Sequence, residues 1–356
     1  MQAGGRKKVV LGMSGGVDSS VAAILLKDAG YDVIGVFMKN WDDSDDSTCT
    51  ARKDYLDVVR VCGELDIPYF TVNFEKEYRD RVFSYFLKEY DNGRTPNPDV
   101  LCNTEIKFKA FLDHALKLDA DYIAMGHYAR TMTKDGKTYL LKGLDNNKDQ
   151  SYFLSRVPEE ALKKALFPIG DLQKSKVREI AKEYKLATAK KKDSTGICFI
   201  GERDFNEFLD KFLFTKEGPI YSVEGQYLGK HSGLIHYTIG QRRGLGIGGI
   251  GTGEPFFVAS KDLDKNILYV AQGINHPALY ESSHEVENLF WINESPTFPL
   301  KINCKIRYRA ADVGASLDFI DGKYLVNFEK PLKGVTPGQV CVFYDGEICL
   351  GSGIFK

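Results

Sequence analysis

Val9-Val10-Leu11 form an apolar run, Ser14-Gly15-Gly16-Val17-Asp18-Ser19-Ser20 follows closely, and Val21-Ala22-Ala23-Ile24-Leu25-Leu26-Lys27 then reads as a helix. No other stretch constrains the fold as much. A strand, a glycine-rich loop and a helix in that order create a place to hold a phosphate. Two glycines let the backbone approach an anion closely. The helix start supplies free N–H donors and the positive end of the dipole, with Ser19 or Ser20 as the expected cap.

The loop is not a Walker A sequence, because no Gly-Lys-Ser/Thr follows at the required spacing, and it is not the Gly-x-Gly-x-x-Gly dinucleotide fingerprint. It resembles the PP-loop of the ATP pyrophosphatases, which split ATP into AMP and pyrophosphate while adenylating a substrate. That resemblance implies that Gly15, Gly16 and the hydroxyls of Ser14 and Ser19 cradle the pyrophosphate, with Asp18 positioning it or its magnesium.

Apolar segments alternate with helix-like ones through the first two hundred residues. Strands are expected at Val9–Leu11, Val33–Phe37, Tyr69–Val72 and Tyr122–Met125, with helices near 19–29, 50–65, 75–90 and 104–118. This pattern argues for a doubly wound parallel sheet covered on both faces. The nucleotide then belongs at the carboxyl ends of the strands, where Met38 and Gly126 also fall. Asp42, Asp43, Asp45 and Asp46 read as a mobile, solvated loop. With 356 residues the chain exceeds one ordinary core, and its 43% hydrophobic and 27% charged content is that of a globular protein. No run is long enough to cross a membrane and no signal peptide is evident, so the cytoplasm is the expected setting.

The net charge of −1 says nothing of nucleic acid by itself, so any RNA site must be a local patch. Lys163 to Lys192, with ten basic residues, is one candidate; a solvated amphipathic helix explains such a stretch about as well. The seven cysteines form no Cys-x-x-Cys pair, which leaves zinc ribbons and clustered iron–sulfur spacings unsupported. Two of them sit in suggestive surroundings. Cys102 follows the proline-stiffened loop Asn92–Asp99, with Asn103 or Thr104 as the expected helix cap and Lys107 nearby, so it reads either as a buried cysteine or as a thiol of depressed pKa. Cys198 follows Lys190-Lys191-Lys192, whose field would favour its thiolate, although a plain buried cysteine is the default reading there too.

Beyond residue 205 the pattern changes. A short helix is expected at Asp204–Phe214. Strand-like pieces at Ile235–Thr238, Pro255–Ala259 and Ile267–Val270 surround a glycine-heavy stretch that follows Gln241-Arg242-Arg243 and reads as a linker or hairpin. From about Ala278 short alternating strands separated by Asp321-Gly322, Pro337-Gly338 and Asp345-Gly346 predict a small antiparallel β-barrel. Arg307, Tyr308 and Arg309 there combine cations with an aromatic ring, as base stacking and backbone contact require, although exposed strand decoration explains them equally. The expected domains are 1–205 (nucleotide-binding and catalytic), 206–277 (small central) and 278–356 (β-barrel).

With the motifs FMKNW at 37–41, TPNPDVLCN at 95–103, MGHYAR at 125–130, KDQSYFL at 148–154, STGICFIGE at 194–202 and RYR at 307–309, the chain resembles the tRNA-specific 2-thiouridylases over nearly its full length. The resemblance implies an adenine nucleotide alpha hydrolase-like first domain and sulfur transfer to C2 of the wobble uridine in tRNAs for lysine, glutamate and glutamine. It implies ATP contacts at Gly12, Met13, Ser14, Gly15, Gly16, Val17, Asp18, Ser19, Met38 and Gly126, with magnesium. Asn97, Pro98 and Asp99 would meet the flipped base, with Asp99 as a proton-transfer group. His127, Lys148, Asp149, Gln150, Arg307, Tyr308 and Gln339 would meet the tRNA. Cys198 would carry a persulfide supplied by a sulfur carrier or cysteine desulfurase, and Cys102 would release that sulfur as the two become disulfide-linked. An iron–sulfur cluster on Asp99, Cys102 and Cys198 is the less favoured arrangement. The rival readings are a PP-loop synthetase using ammonia, which needs neither thiol, and a non-catalytic tRNA-binding protein that keeps a nucleotide as a structural ligand.

Overall fold

The computed structural model describes residues 5–41, 51–193, 204–249 and 251–356. Cys198 and the four-aspartate loop after Trp41 lie outside them. The first domain is built on parallel strands β1 (Lys8–Met13), β2 (Asp32–Lys39), β3 (Tyr69–Asn73) and β4 (Tyr122–Ala124). A hairpin of β5 (Ala129–Lys134) and β6 (Lys137–Lys142) interrupts, and β7 (Ala165–Leu166) rejoins the sheet, whose order is β3-β2-β1-β4-β7. Val9 is in register with Val33 on one side and Tyr122 on the other.

The strand period of two divides these residues between two cores. Val9, Leu11, Met13, Val33 and Phe37 face one side, against helix α1 (Val17–Asp28), α2 (Ala51–Glu64) and the helix Lys174–Glu183. Val10, Val36 and Ile123 face the other, against Tyr78, Val82, Phe86, Val100 and Ile106. Eight of the twelve residues of α1 are buried, as expected for a helix held between a sheet and a second helix. Fully burying one of these large apolar side chains stabilises by about 1.5–3 kcal/mol. Both faces are covered, as the alternating pattern predicts.

The central module contains β8 (Gly218–Ser222), β9 (Tyr227–His231), β10 (Phe256–Asp262) and β11 (Ile267–Gln272), ordered β10-β11-β8-β9. The expected strand at Ile235–Thr238 is instead a 3-10 turn, Leu234–His236. The glycine-rich stretch is neither linker nor simple hairpin, because Leu245 and Ile247 pack into the module core beside Ile220, Val258 and Leu268.

The last domain closes six antiparallel strands into a barrel: β12 (Tyr280–Trp291), β13 (Leu300–Lys305), β14 (Val313–Ile320), β15 (Lys323–Lys333), β16 (Val340–Asp345) and β17 (Ile348–Phe355). Their order is β12-β15-β14-β13-β16-β17, and β12 pairs back onto β17, which leaves no open edge between them. Strand β17 also pairs with β6, Cys349 opposite Leu140, so the first domain's hairpin extends the barrel sheet. Arg307–Arg309 fall past the end of β13, with Arg309 at φ +63°, rather than continuing the alternation.

Candidate active site at the switch point of the parallel sheet

Chain order reverses at β1, between β2 and β4, so the segments leaving β1 and β4 part at their carboxyl ends and open a crevice. The PP-loop occupies it. Gly15 turns at φ +70°, and a Cβ there would stand 2.4 Å from the carbonyl oxygen of Asp54, so only glycine fits. Gly16, extended at φ −93° and ψ 167°, is the N-cap of α1, and no side chain caps the helix. Ser19 and Ser20 are therefore not the cap. Both lie in the first turn, where their hydroxyls donate to the Gly16 carbonyl at 3.2 and 2.8 Å. The helix N-terminus is left presenting backbone donors to an anion.

Gly12 lies between Met38 and Met125, whose side chains would come within 3.1 Å of a Cβ at that position. A Cβ at Gly126 would stand 2.7 Å from the amide nitrogen of Ser19. Met38, Gly12, Gly126 and the PP-loop thus line one cleft. Met13 and Val17 turn their side chains into the core, so only their backbones face it. Ser14 is exposed, with its amide donating to Ser19 Oγ at 3.2 Å.

A chain of ion pairs borders the loop. Asp18 accepts from Tyr128 Oη at 2.8 Å and from Lys174 Nζ at 2.7 and 2.8 Å. Lys174 also meets Asp193 at 2.9 Å, which in turn meets Lys148 at 2.6 Å and Arg178 at 2.7 Å. Burial pushes the Asp193 carboxyl up, but hydrogen bonds from Lys148 and Lys174 outweigh it and hold it at about 2. Lys191 donates to Gly15 O, Asp54 and Asp57. Its charge is therefore committed to the PP-loop side. Within the basic stretch, Lys174, Arg178 and Lys191 are paired with these carboxylates.

The segment bearing Cys102 begins with Asn97, whose Oδ1 accepts from Val100 N at 3.3 Å, and Pro98 stands at the first helical position. Proline lacks the N–H that would go unsatisfied there, so Asn97 takes the cap expected of Asn103 or Thr104. The helix runs through Pro98–Leu101, widens into π turns at Cys102–Ala110 and ends at Phe111–Leu116. Cys102 is therefore a turn inside the helix and 2% exposed. Asp99 is half-buried, its carboxyl raised by burial with Lys107 opposing. Asn103 donates Nδ2 to the Asp99 carbonyl at 2.8 Å. Lys107 Nζ lies 3.5 Å from His127 Nε2. His127 is buried, so only a group that enters the cleft reaches it.

The other expected tRNA contacts sit where the domains meet. Asp149 is 4% exposed and accepts from the amides of Gly143 and Ser151 and from Lys305. Gln150 accepts from Tyr128 N at 3.0 Å. Arg307 donates to Ile239 O, Gly334 O and Thr336 Oγ1. Tyr308 packs on Phe153 with ring centroids 4.4 Å apart. Gln339 donates to Thr95 O at 2.8 Å. Reading the sequence missed Lys174, Tyr128 and Asp193, because nothing local marks a carboxylate and a lysine 156 positions apart as partners. Among the described residues no group of three His, Cys, Asp or Glu side chains is placed to hold a metal ion.

A parallel-sheet domain with a glycine loop at its switch point, followed by a four-stranded module and a closed barrel, defines a multidomain enzyme of the PP-loop class. Residues 7–202 match the family described as "tRNA methyl transferase HUP domain", 206–272 the "tRNA methyl transferase PRC-barrel domain" and 282–355 the "Aminomethyltransferase beta-barrel domain". The chain is 60% identical to the tRNA-specific 2-thiouridylase MnmA of Alkaliphilus oremlandii over 97% of its length and 95% of that protein's. It is 58% identical to the MnmA of Bacillus subtilis over 97% and 94%. The chain belongs to the tRNA-specific 2-thiouridylase family. Its likeness to the solved U34-tRNA thiolase NcsA of Methanococcus maripaludis is weak, at 19% identity and a TM-score of 0.35 over 54% of this chain and 60% of that one.

Proposed function

We propose that this protein uses ATP and magnesium to replace O2 of the wobble uridine with sulfur in tRNAs for lysine, glutamate and glutamine. The observation that supports the reading is an uncapped helix N-terminus, suited to a polyphosphate, in a cleft whose Gly126 is followed by His127, 3.5 Å from Lys107 on the helix that also bears Asp99 and Cys102. Family membership supplies the substrate class.

Uracil O2 is a poor leaving group until it is adenylated. In the proposed route O2 attacks the α-phosphorus and pyrophosphate departs across the PP-loop donors. Asp99, its carboxyl made more basic by burial, accepts the N3 proton as O2 bonds to phosphorus. The incoming sulfur is a persulfide on Cys198, delivered by a sulfur carrier or desulfurase in a cytoplasmic setting. Cys102 thiolate attacks the inner sulfur of that persulfide. The S–S bond breaks, a disulfide forms between the two cysteines, and the released hydrosulfide attacks C2 and expels AMP. An external thiol then reduces the disulfide. Cys198 stands five positions after Asp193, and a tether of that length reaches at most about 18 Å. Asp193 is linked through Lys174 to Asp18 of the PP-loop. Extruding the base costs a few kcal/mol, less in an anticodon loop that is already partly unstacked.

The test is mass analysis of tRNA nucleosides after incubation with ATP, magnesium and a persulfide donor. A 2-thiouridine signal lost in both Cys102→Ser and Cys198→Ser is expected. Full ATP turnover by Cys198→Ser would favour an ammonia-using synthetase. tRNA binding without AMP release would favour a non-catalytic role, and anaerobic iron and sulfide analysis decides the cluster alternative.

A further inference from the structure

Lys107 has no part in the route above, yet its ammonium reaches the segment that follows Gly126. It lies on the same helix as Asn103 and Asp99, at successive four-residue steps, so the three share one face even through the widened turns. Its Nζ stands 3.5 Å from His127 Nε2. An ammonium group has three donors and no acceptor, so the lone pair of that pair belongs to Nε2. Burial, reinforced by the Lys107 charge, pushes the His127 pKa well below its ordinary value, which keeps the ring neutral. A neutral imidazole accepting at Nε2 carries its proton on Nδ1.

That Nδ1 is buried and has no hydrogen-bond partner. The ring stands beside Phe108 and Phe167, centroids 6.1 and 6.2 Å away, which limits its rotation. Asn103, 3% exposed, repeats the situation with the opposite sign. Its Nδ2 is committed to the Asp99 carbonyl, so its other end is an acceptor, and Oδ1 too is buried without a partner. Native interiors leave few such atoms unsatisfied, and each calls for an explanation such as a catalytic role or a bound polar group. Here one donor and one acceptor remain, one on the segment leaving β4 and one on Lys107's own helix.

We propose that Lys107 is a positioning residue that locks His127 as the Nδ1–H tautomer, and that this donor and Asn103 Oδ1 together read the hydrogen-bonding edge of the flipped pyrimidine. The Nδ1–H donates to O4, and Oδ1 accepts from N3–H in the bound base, before that proton passes to Asp99 on adenylation. Uridine satisfies both. Cytidine opposes both, with an amino group facing Nδ1–H and a lone pair facing Oδ1. Sites built to hydrogen-bond a substrate reject the analogue that leaves buried groups unpaired, by on the order of a hundredfold or more. Adenine also offers a donor and an acceptor, but Asp99 and Cys102 lie beside Asn103 on the helix, which places the pair at the target base. The identity of the base rests on the thiolation reading; the tautomer does not.

The experiment is imidazole nitrogen-15 NMR on the full-length protein, with His127→Asn to assign the signal. His127 is expected neutral with the proton on Nδ1 in the wild type and in Lys107→Arg, and as a tautomer mixture in Lys107→Gln, whose side chain can also accept. A second arm measures the Kd of anticodon stem-loops carrying uridine or cytidine at the wobble position, and the KM for ATP. Lys107→Gln should cut the uridine preference at least tenfold with the ATP KM unchanged, and Lys107→Arg should restore it. A proton on Nε2 in the wild type, or an unchanged preference in Lys107→Gln, overturns the proposal. A shift in the ATP KM alone also overturns it, by assigning the pair to the nucleotide. A wild-type protein that shows the Nδ1–H tautomer and the uridine preference but makes no 2-thiouridine would refute the thiolation reading and leave this one standing.

Discussion

Asp149→Ala separates a carboxylate that holds the molecule together from one that greets RNA. The carboxylate is 2% exposed and Lys305 is 11%, their atoms 3.1 Å apart. Removing one partner of a buried ion pair costs about 3–5 kcal/mol. Asp312 Oδ1, 3.8 Å from the same ammonium, offsets part of this, so we take ~2–3 kcal/mol for the charge. The amides of Gly143 and Ser151 also lose their acceptor, each bond contributing about 1 kcal/mol. The expected loss is ~4 kcal/mol by these magnitudes. Asp149→Asn, which keeps both amide bonds, should lose only the first part. Three domains need not unfold as one, so urea denaturation should be paired with amide exchange at Gly143 and Ser151, where protection should collapse. In the double variant Asp149→Ala/Lys305→Met the buried charge is gone as well, and a coupling of on the order of 2 kcal/mol should appear. Wild-type unfolding and exchange in Asp149→Ala, together with weakened tRNA binding, would refute the reasoning.

Two further outcomes follow from the loop and its ion pairs. Asp193, held at about 2 in the folded protein and near 3.9 when unfolded, contributes stability that is fully present above pH 4 and disappears as pH falls through 2. Because the side chain is 30% exposed, solvent screening reduces the gain to about 1 kcal/mol, and acid unfolding of Asp193→Asn should lack that portion of the pH 4 to 2 slope. Gly126→Ala would drive a Cβ to 2.7 Å from the Ser19 amide nitrogen. It should weaken ATP binding measured by calorimetry at least tenfold while leaving tRNA affinity intact; unchanged ATP affinity would mean that the cleft is not the nucleotide site.

What could be read from the sequence was what is contiguous along it. The PP-loop declares itself because strand, glycines and helix are neighbours in the chain, and the parallel sheet and terminal barrel follow from local periodicity. Competition between neighbours misled the reading of caps: Pro98 at the first helical position outranks Asn103, and Gly16 needs no hydroxyl to cap α1. The hairpin of β5 and β6 was missed although Asp135 and Gly136, at φ 52° and 78°, form the kind of turn that an Asp-Gly pair announces. Ile235–Thr238 has a strand's composition, but packing into the module overrides it. Charge partners such as Lys148 and Asp193, or Asp149 and Lys305, could not be matched at all, since each carries only its sign until the fold brings them together.

The helix that bears Asp99 and Cys102 is tied to both of the other domains. The residues just before Pro98 are grasped from both other domains. Arg94 donates to Phe355 O, Thr95 N to Pro337 O and Gln339 to Thr95 O from the barrel side, while Lys261 donates to Gly93 O and Thr238 meets Thr95 from the central module. Arg307 then joins those two domains through Ile239 and Gly334. Two prolines stiffen the connector, so a displacement of the barrel is transmitted to the first turn of the helix instead of being absorbed. Asp99 and Cys102 lie within that turn and the next. A substrate gripping Arg307 or Gln339 would compete for the hydrogen bonds that set the helix position, and through this linkage binding energy gained far from the reacting atoms can be spent on aligning them.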